Sequence, residues 1–195
     1  MELICLGDSI TYGYGVRRTE RWSTLVGEAL GCTVSNHGIS GDTTGGMLSR
    51  LDHEIIPDIR RRPLGQKPTV LLLGGVNDIF YSGSDTGARA NMGAMVHQLL
   101  TAGARCVMLS PLGIAFSAVP PDWSEVMRPD TLTLLEDYHR WQAQFCRAFS
   151  VPYIELYDLL RKPDGTPDPA LYLDGLHPTA EGHRLIARRI CDALR

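Results

Sequence analysis

Five short apolar runs, separated by longer stretches of helical periodicity, restrict this chain to a narrow set of folds. The runs are Leu3–Leu6, Thr33–Asn36, Thr69–Leu73, Cys106–Ser110 and Pro152–Leu156. Val70-Leu71-Leu72-Leu73 and Cys106-Val107-Met108-Leu109 are continuously apolar. Strands of a parallel sheet must be so when helices cover both faces, because neither face meets water. Between the runs, apolar residues recur every three or four positions, which marks one face of a helix. Trp22–Leu30 aligns Trp22, Leu25, Val26 and Ala29, and Ala88–Ala102 aligns Met92, Met95, Val96 and Leu99. Leu132–Phe149 and Ala180–Leu194 follow the same rule, the latter with Thr179 in the N-cap position and Glu181 in the first turn. The stretch from Thr44 to about Arg62 also reads as helical, with Pro57 expected to kink or end it. The pattern predicts an α/β fold with a parallel sheet between two helical layers.

The 195 residues suit one domain over 1–195, since a single core grows to roughly 250 residues. Nineteen Lys and Arg against 22 Asp and Glu leave a net charge of −3. A polyanion such as nucleic acid is therefore not an expected partner. Arg60, Arg61 and Arg62 are the one dense basic run and read as a solvated helix end. No window nears the roughly 18 apolar residues that would cross a bilayer. The start, Met1-Glu2-Leu3-Ile4-Cys5-Leu6, lacks the basic leader of a signal peptide. Cys5, Cys32, Cys106, Cys146 and Cys191 are scattered in apolar segments and read as reduced core thiols. Together these predict a cytoplasmic protein without stable membrane insertion.

In open α/β sheets ligands bind beyond the carboxyl ends of the strands, and the chemistry-bearing loops of this chain fall there. Gly7-Asp8-Ser9-Ile10-Thr11 follows the first strand. A serine hydroxyl needs a neighbouring base to become a nucleophile. Asp174-Gly175-Leu176-His177-Pro178 supplies a candidate just before the last helix. A carboxylate three residues ahead of a histidine can hold its Nδ1–H and leave Nε2 free for the serine. Asn36-His37-Gly38-Ile39-Ser40-Gly41-Asp42-Thr43 follows the second strand, and Gly74-Gly75-Val76-Asn77-Asp78 the third. They offer an N–H at Gly41 and a side-chain amide at Asn77 as partners for a developing oxyanion, beside the N–H of Ser9. Each element has a plain alternative: a tight turn at Ser9, a capped surface helix at His177, a turn-bracing amide at Asn77. His53, His97, His139 and His183 lie in helical patterns and read as surface or core residues.

Taken together, Gly-Asp-Ser near the start, Gly-x-Asn-Asp at Gly75–Asp78 and Asp-x-x-His near the end resemble the SGNH hydrolase superfamily, the GDSL-type esterases and lipases. The residues matching its four name-giving positions are Ser9, Gly41, Asn77 and His177. Ile39-Ser40-Gly41-Asp42-Thr43 is similar to the bacterial thioesterase I, lysophospholipase and arylesterase branch. The resemblance implies a flavodoxin-like three-layer α/β/α sandwich, with about five parallel strands ordered 2-1-3-4-5. It also implies a Ser9–His177–Asp174 triad and an oxyanion hole from Ser9, Gly41 and Asn77. Asp8 and Asp78 would brace their loops. No metal or organic cofactor is implied.

The expected activity is hydrolysis of a small ester or thioester with a short to medium acyl chain, through an acyl-enzyme on Ser9. An acetylated sugar is the alternative substrate. Two other readings are a metal-dependent phosphoesterase and a non-catalytic flavodoxin-like module binding a phosphate-bearing ligand in its glycine-rich loops. Tyr81, Phe116, Trp123 and Met127 either line an acyl groove or pack their loops onto the body. The irregular stretch Leu112–Asp130 is longer than in compact members of the superfamily, which bears on substrate size. Lys162–Pro169 reads as a surface turn.

Overall fold

The computed structural model describes residues 2–124 and 130–195. Its five strands are β1 (Glu2–Gly7), β2 (Thr33–Gly38), β3 (Thr69–Leu73), β4 (Arg105–Leu109) and β5 (Tyr153–Ile154). They form one sheet in the order β2-β1-β3-β4-β5, every pair parallel. The helices are α1 (Ser9–Tyr12), α2 (Trp22–Leu30), α3 (Thr44–Arg50), α4 (Ile56–Arg61), α5 (Val76–Ser82), α6 (Thr86–Thr101), α7 (Pro121–Ser124), α8 (Thr131–Ala148) and α9 (Ala180–Leu194).

Strand side chains alternate between faces, and this alternation splits the core in two. Ile4, Leu6, Val70, Leu72, Cys106 and Met108 point to one side, packing against α3, α4, α6 and α8 through Met47, Ile59, Met92 and Tyr138. Leu3, Cys5, Leu71, Leu73, Val107 and Leu109 point to the other, against α2 and α9 through Trp22, Val26, Ile186 and Ile190. Burial on both sides explains why these strands are apolar throughout. Truncating one such residue, as in Leu72→Ala, costs about 2–5 kcal/mol. The expected three-layer architecture and strand order are those observed.

Details differ from the sequence reading where the backbone found partners that periodicity does not reveal. Pro57 does not end its helix. The chain widens into a π turn over Leu51–Ile55, where the Ile56 N–H reaches back to the Leu51 carbonyl, and continues as α4. Proline has no N–H and its ring crowds the carbonyl four residues back, and the wider turn makes room for it. Strand β5 is shorter than Pro152–Leu156 because the Leu156 N–H turns to the Ser110 hydroxyl, at 2.6 Å, instead of continuing the ladder. The 112–130 stretch holds a 3₁₀ turn at Phe116–Ala118 and α7. Lys162–Pro169 is a turn, closed by the Lys162 N–H on the Thr166 carbonyl at 2.8 Å. Among the described residues, no helix is long and apolar enough to cross a membrane.

Candidate active site

The sheet order reverses direction around β1, with β2 on one side and β3 on the other, and three loops meet beyond the carboxyl ends of these strands. The first turns immediately after β1. A Cβ on Gly7 would collide with the Thr11 side chain and the Leu73 carbonyl, so only glycine lets the strand pass into α1. Asp8 caps that helix, accepting the Ile10 N–H at 2.9 Å. Ser9 opens α1 and is nearly buried.

From the far end of the chain comes the loop before α9. Asp174 Oδ1 accepts the N–H groups of Leu176 and His177 at 3.1 and 2.8 Å, and Oδ2 meets His177 Nδ1 at 2.7 Å. Three hydrogen bonds leave the carboxylate little freedom to turn. With Nδ1 engaged there, Nε2 faces the Ser9 hydroxyl at 2.8 Å. Gly175, at φ +79°, allows this loop to lie against the one after β4. The Ala115 N–H bonds the Gly175 carbonyl at 2.8 Å, and a Cβ at 175 would stand 2.6 Å from the Ala115 carbonyl oxygen. Thr179 caps α9 through the Gly182 N–H, at 3.3 Å.

The remaining two loops supply donors. Gly41 sits at φ +78°, and among the described residues its N–H donates to no acceptor. Asn77 lies in the first turn of α5, a helix that the Gly-Gly-Val-Asn-Asp stretch conceals because both glycines read as loop. Its Nδ2 donates to the Asp42 carbonyl at 2.8 Å, which braces a neighbouring loop and leaves the second amide hydrogen for another acceptor. Asp78 accepts both the N–H and the hydroxyl of Thr44, at 2.8 and 2.6 Å, and so braces its loop as expected. Arg50 gave no signal in the sequence. It pairs with Asp42 at 2.5 Å and reaches the His37 and Gly7 carbonyls at 2.9 and 3.4 Å, tying the ends of β1 and β2 together.

Ser9, Gly41, Asn77 and His177 line a cavity of about 310 Å³ with apolar walls from Tyr14, Phe80, Tyr81, Trp123 and Leu176. Tyr14 leans on the imidazole of His177, ring centroids 4.5 Å apart, and Trp123 meets it edge-on at 5.9 Å. Tyr81 and Trp123 therefore line the cavity, whereas Phe116 does not. Met127 falls outside the described residues. Asp8 immediately precedes Ser9, and burial, with Asp42 and Asp78 nearby, pushes its carboxyl up to about 7.

Two other histidines are engaged elsewhere. His183 is fully buried against Trp22. His139 meets Glu155 at 2.5 Å, and Glu155 also accepts from Ser110 at 3.0 Å. That second Ser–Glu–His group differs from the first in two ways. Ser110 is completely buried, and its oxygen already accepts the N–H groups of Leu156 and Tyr157. Its geometry closes a strand end. Among the described residues, no set of three or more His, Cys, Asp or Glu side chains is grouped as metal ligands would be.

Comparison with known proteins gives the family and the fold. Residues 5–185 match the model of the GDSL-like Lipase/Acylhydrolase family. The chain is similar to an arylesterase of Vibrio mimicus, 28% identical over 201 residues, covering 99% of this chain and 88% of the relative. Its fold is similar to that of an aryl esterase of M. smegmatis, with a TM-score of 0.80 at 18% identity over 100% of this chain and 98% of the other. A carbohydrate acetylesterase of Sinorhizobium meliloti has a similar fold, with a TM-score of 0.79 at 18% identity over 99% and 97%.

Proposed function

We propose, on the premise that this chain belongs to the GDSL-like lipase/acylhydrolase family and is a carboxylic ester hydrolase, that Ser9 is its nucleophile and His177 its general base. The observation that carries this reading is the unbroken relay from Asp174 Oδ2 to His177 at 2.7 Å and from His177 Nε2 to Ser9 at 2.8 Å. Ser9 Oγ attacks the acyl carbonyl as Nε2 takes its proton, and Asp174 holds the imidazole in the tautomer that can do so. Negative charge gathers on the carbonyl oxygen, where the N–H groups of Ser9 and Gly41 and the free amide hydrogen of Asn77 stabilise it. His177 then protonates the departing alcohol, and water hydrolyses the acyl-enzyme by the same steps in reverse.

The substrate we favour is a short acyl ester of an apolar or aromatic alcohol. Support comes from the cavity, whose walls are largely aromatic. An acetylated sugar is a second reading, favoured by the similar fold of the Sinorhizobium carbohydrate acetylesterase. The five cysteines are free thiols, which suits a reducing compartment such as the cytoplasm. Turnover of phenyl acetate against acetylated xylose decides between the substrates. Ser9→Ala and His177→Ala should each remove nearly all turnover and, for Ser9→Ala, labelling by a fluorophosphonate. Wild-type rates in either variant would overturn the assignment.

A further inference from the structure

The assignment of Ser9 as nucleophile, on which this inference rests, divides the cavity by stereochemistry. In the tetrahedral intermediate the oxyanion points to its N–H donors, and the leaving oxygen must lie near His177 Nε2, which protonates it. The acyl chain takes the remaining direction. Tyr14 and Trp123 touch the imidazole and Leu176 precedes it in sequence, so these three flank the leaving group. Ser40, Phe80 and Tyr81 line the cavity without ring contact to His177, and so stand apart from the leaving-group side.

Tyr81 stands out among these. It follows Asn77 by four residues on α5, so both project from one helix face. Its phenol bridges from α5 to the loop after β2, with the oxygen 3.5 Å from where a Cβ on Gly41 would lie. The residue is nevertheless 63% exposed, and among the described residues its hydroxyl has no hydrogen-bond partner. A side chain with one surface on the cavity, the other in water and no bond to fix it acts as a door, not a floor.

We infer that Tyr81 sets the upper limit of acyl-chain length by closing the acyl end of the cavity. A floor and a door differ in their consequences. Removing a buried floor residue admits a few more carbons, whereas removing Tyr81 opens the cavity to solvent and admits chains of any length.

The test is kcat/KM for wild type, Tyr81→Ala, Tyr81→Phe and Ser9→Ala on p-nitrophenyl acetate, butyrate, octanoate and decanoate. One methylene in an apolar pocket is worth about 10-fold or more in kcat/KM, so Tyr81→Ala should raise both the octanoate-to-acetate and decanoate-to-acetate ratios at least about tenfold. Tyr81→Phe, which keeps the ring, should retain the wild-type profile. Ratios within about twofold of wild type in Tyr81→Ala would overturn the inference, as would an equal shift in Tyr81→Phe. A gain for octanoate alone would make Tyr81 a floor and overturn the door. Ser9→Ala with wild-type rates would instead bring down the nucleophile, and this inference with it.

Discussion

Trp22 and His183, 161 residues apart, are joined inside the core: the Trp22 N–H donates to Nδ1 of His183 at 3.2 Å, with both residues fully buried. Burial, and then the nearby Arg21 and His177, lower the His183 pKa to about 4. The unfolded chain binds a proton on this histidine below about 6.5, and the fold refuses it until near 4. The contribution of this histidine to stability should therefore be full above that range and fall progressively as the pH drops through it. His183→Leu, which strands the Trp22 N–H, should lose about 1–3 kcal/mol at pH 7 and show a shallower decline toward pH 4. Urea denaturation at pH 7 and pH 5 measures both.

Asp8 gives the opposite slope. Its carboxyl is held near 7 in the fold by burial and by Asp42 and Asp78, against an ordinary value of 3.8. The stability that comes with its protonated form is complete below the unfolded value and disappears as the pH rises through about 7. Asp8→Asn keeps an oxygen for the Ile10 N–H and carries no charge. Relative to the wild type it should gain stability as the pH rises from 5 to 8, as read by thermal melts at both values. An unchanged slope would show that Asp8 is ionised throughout.

Asp174→Asn should leave the melting temperature almost unchanged while lowering kcat by roughly 100-fold to 10,000-fold, because an amide no longer selects the reactive tautomer of His177. The p-nitrophenyl acetate rate at saturating substrate tests this. A loss of tenfold or less would mean that another acceptor orients the imidazole.

At Gly41 the backbone has φ +78°, which a side chain resists at a cost of about 1–2 kcal/mol. The Cβ itself would meet only the Tyr81 hydroxyl, at an unstrained 3.5 Å. Gly41→Ala should thus fold, with modest loss of stability, and turn its N–H away from the oxyanion. A drop of roughly 100- to 1000-fold in kcat with little change in KM is expected. An unchanged kcat would remove Gly41 from the donors.

Much of this architecture could be read from the chain because burial on two faces leaves an unambiguous mark. Val70–Leu73 can hardly be anything but an inner strand. The residues gathered at the cavity were also legible, since glycines at 7, 38 and 41 and the Asp-x-x-His spacing constrain backbone as well as chemistry. What escaped notice depends on tertiary partners. Arg50 looks like any helix-end cation until Asp42, His37 and Gly7 come within its reach. The helix carrying Asn77 hides behind Gly74 and Gly75, and the contact of Tyr14 with His177 joins residues from opposite ends of the chain.

Ala115 and Gly175 hold the crossover after β4 against the turn that carries His177. That crossover also bears Trp123, part of the cavity wall. A change in its length or composition that reshapes substrate entry must therefore also tug on the imidazole. Selection for a new alcohol and selection for proton transfer act on one piece of backbone, and neither can be tuned while the other stays still.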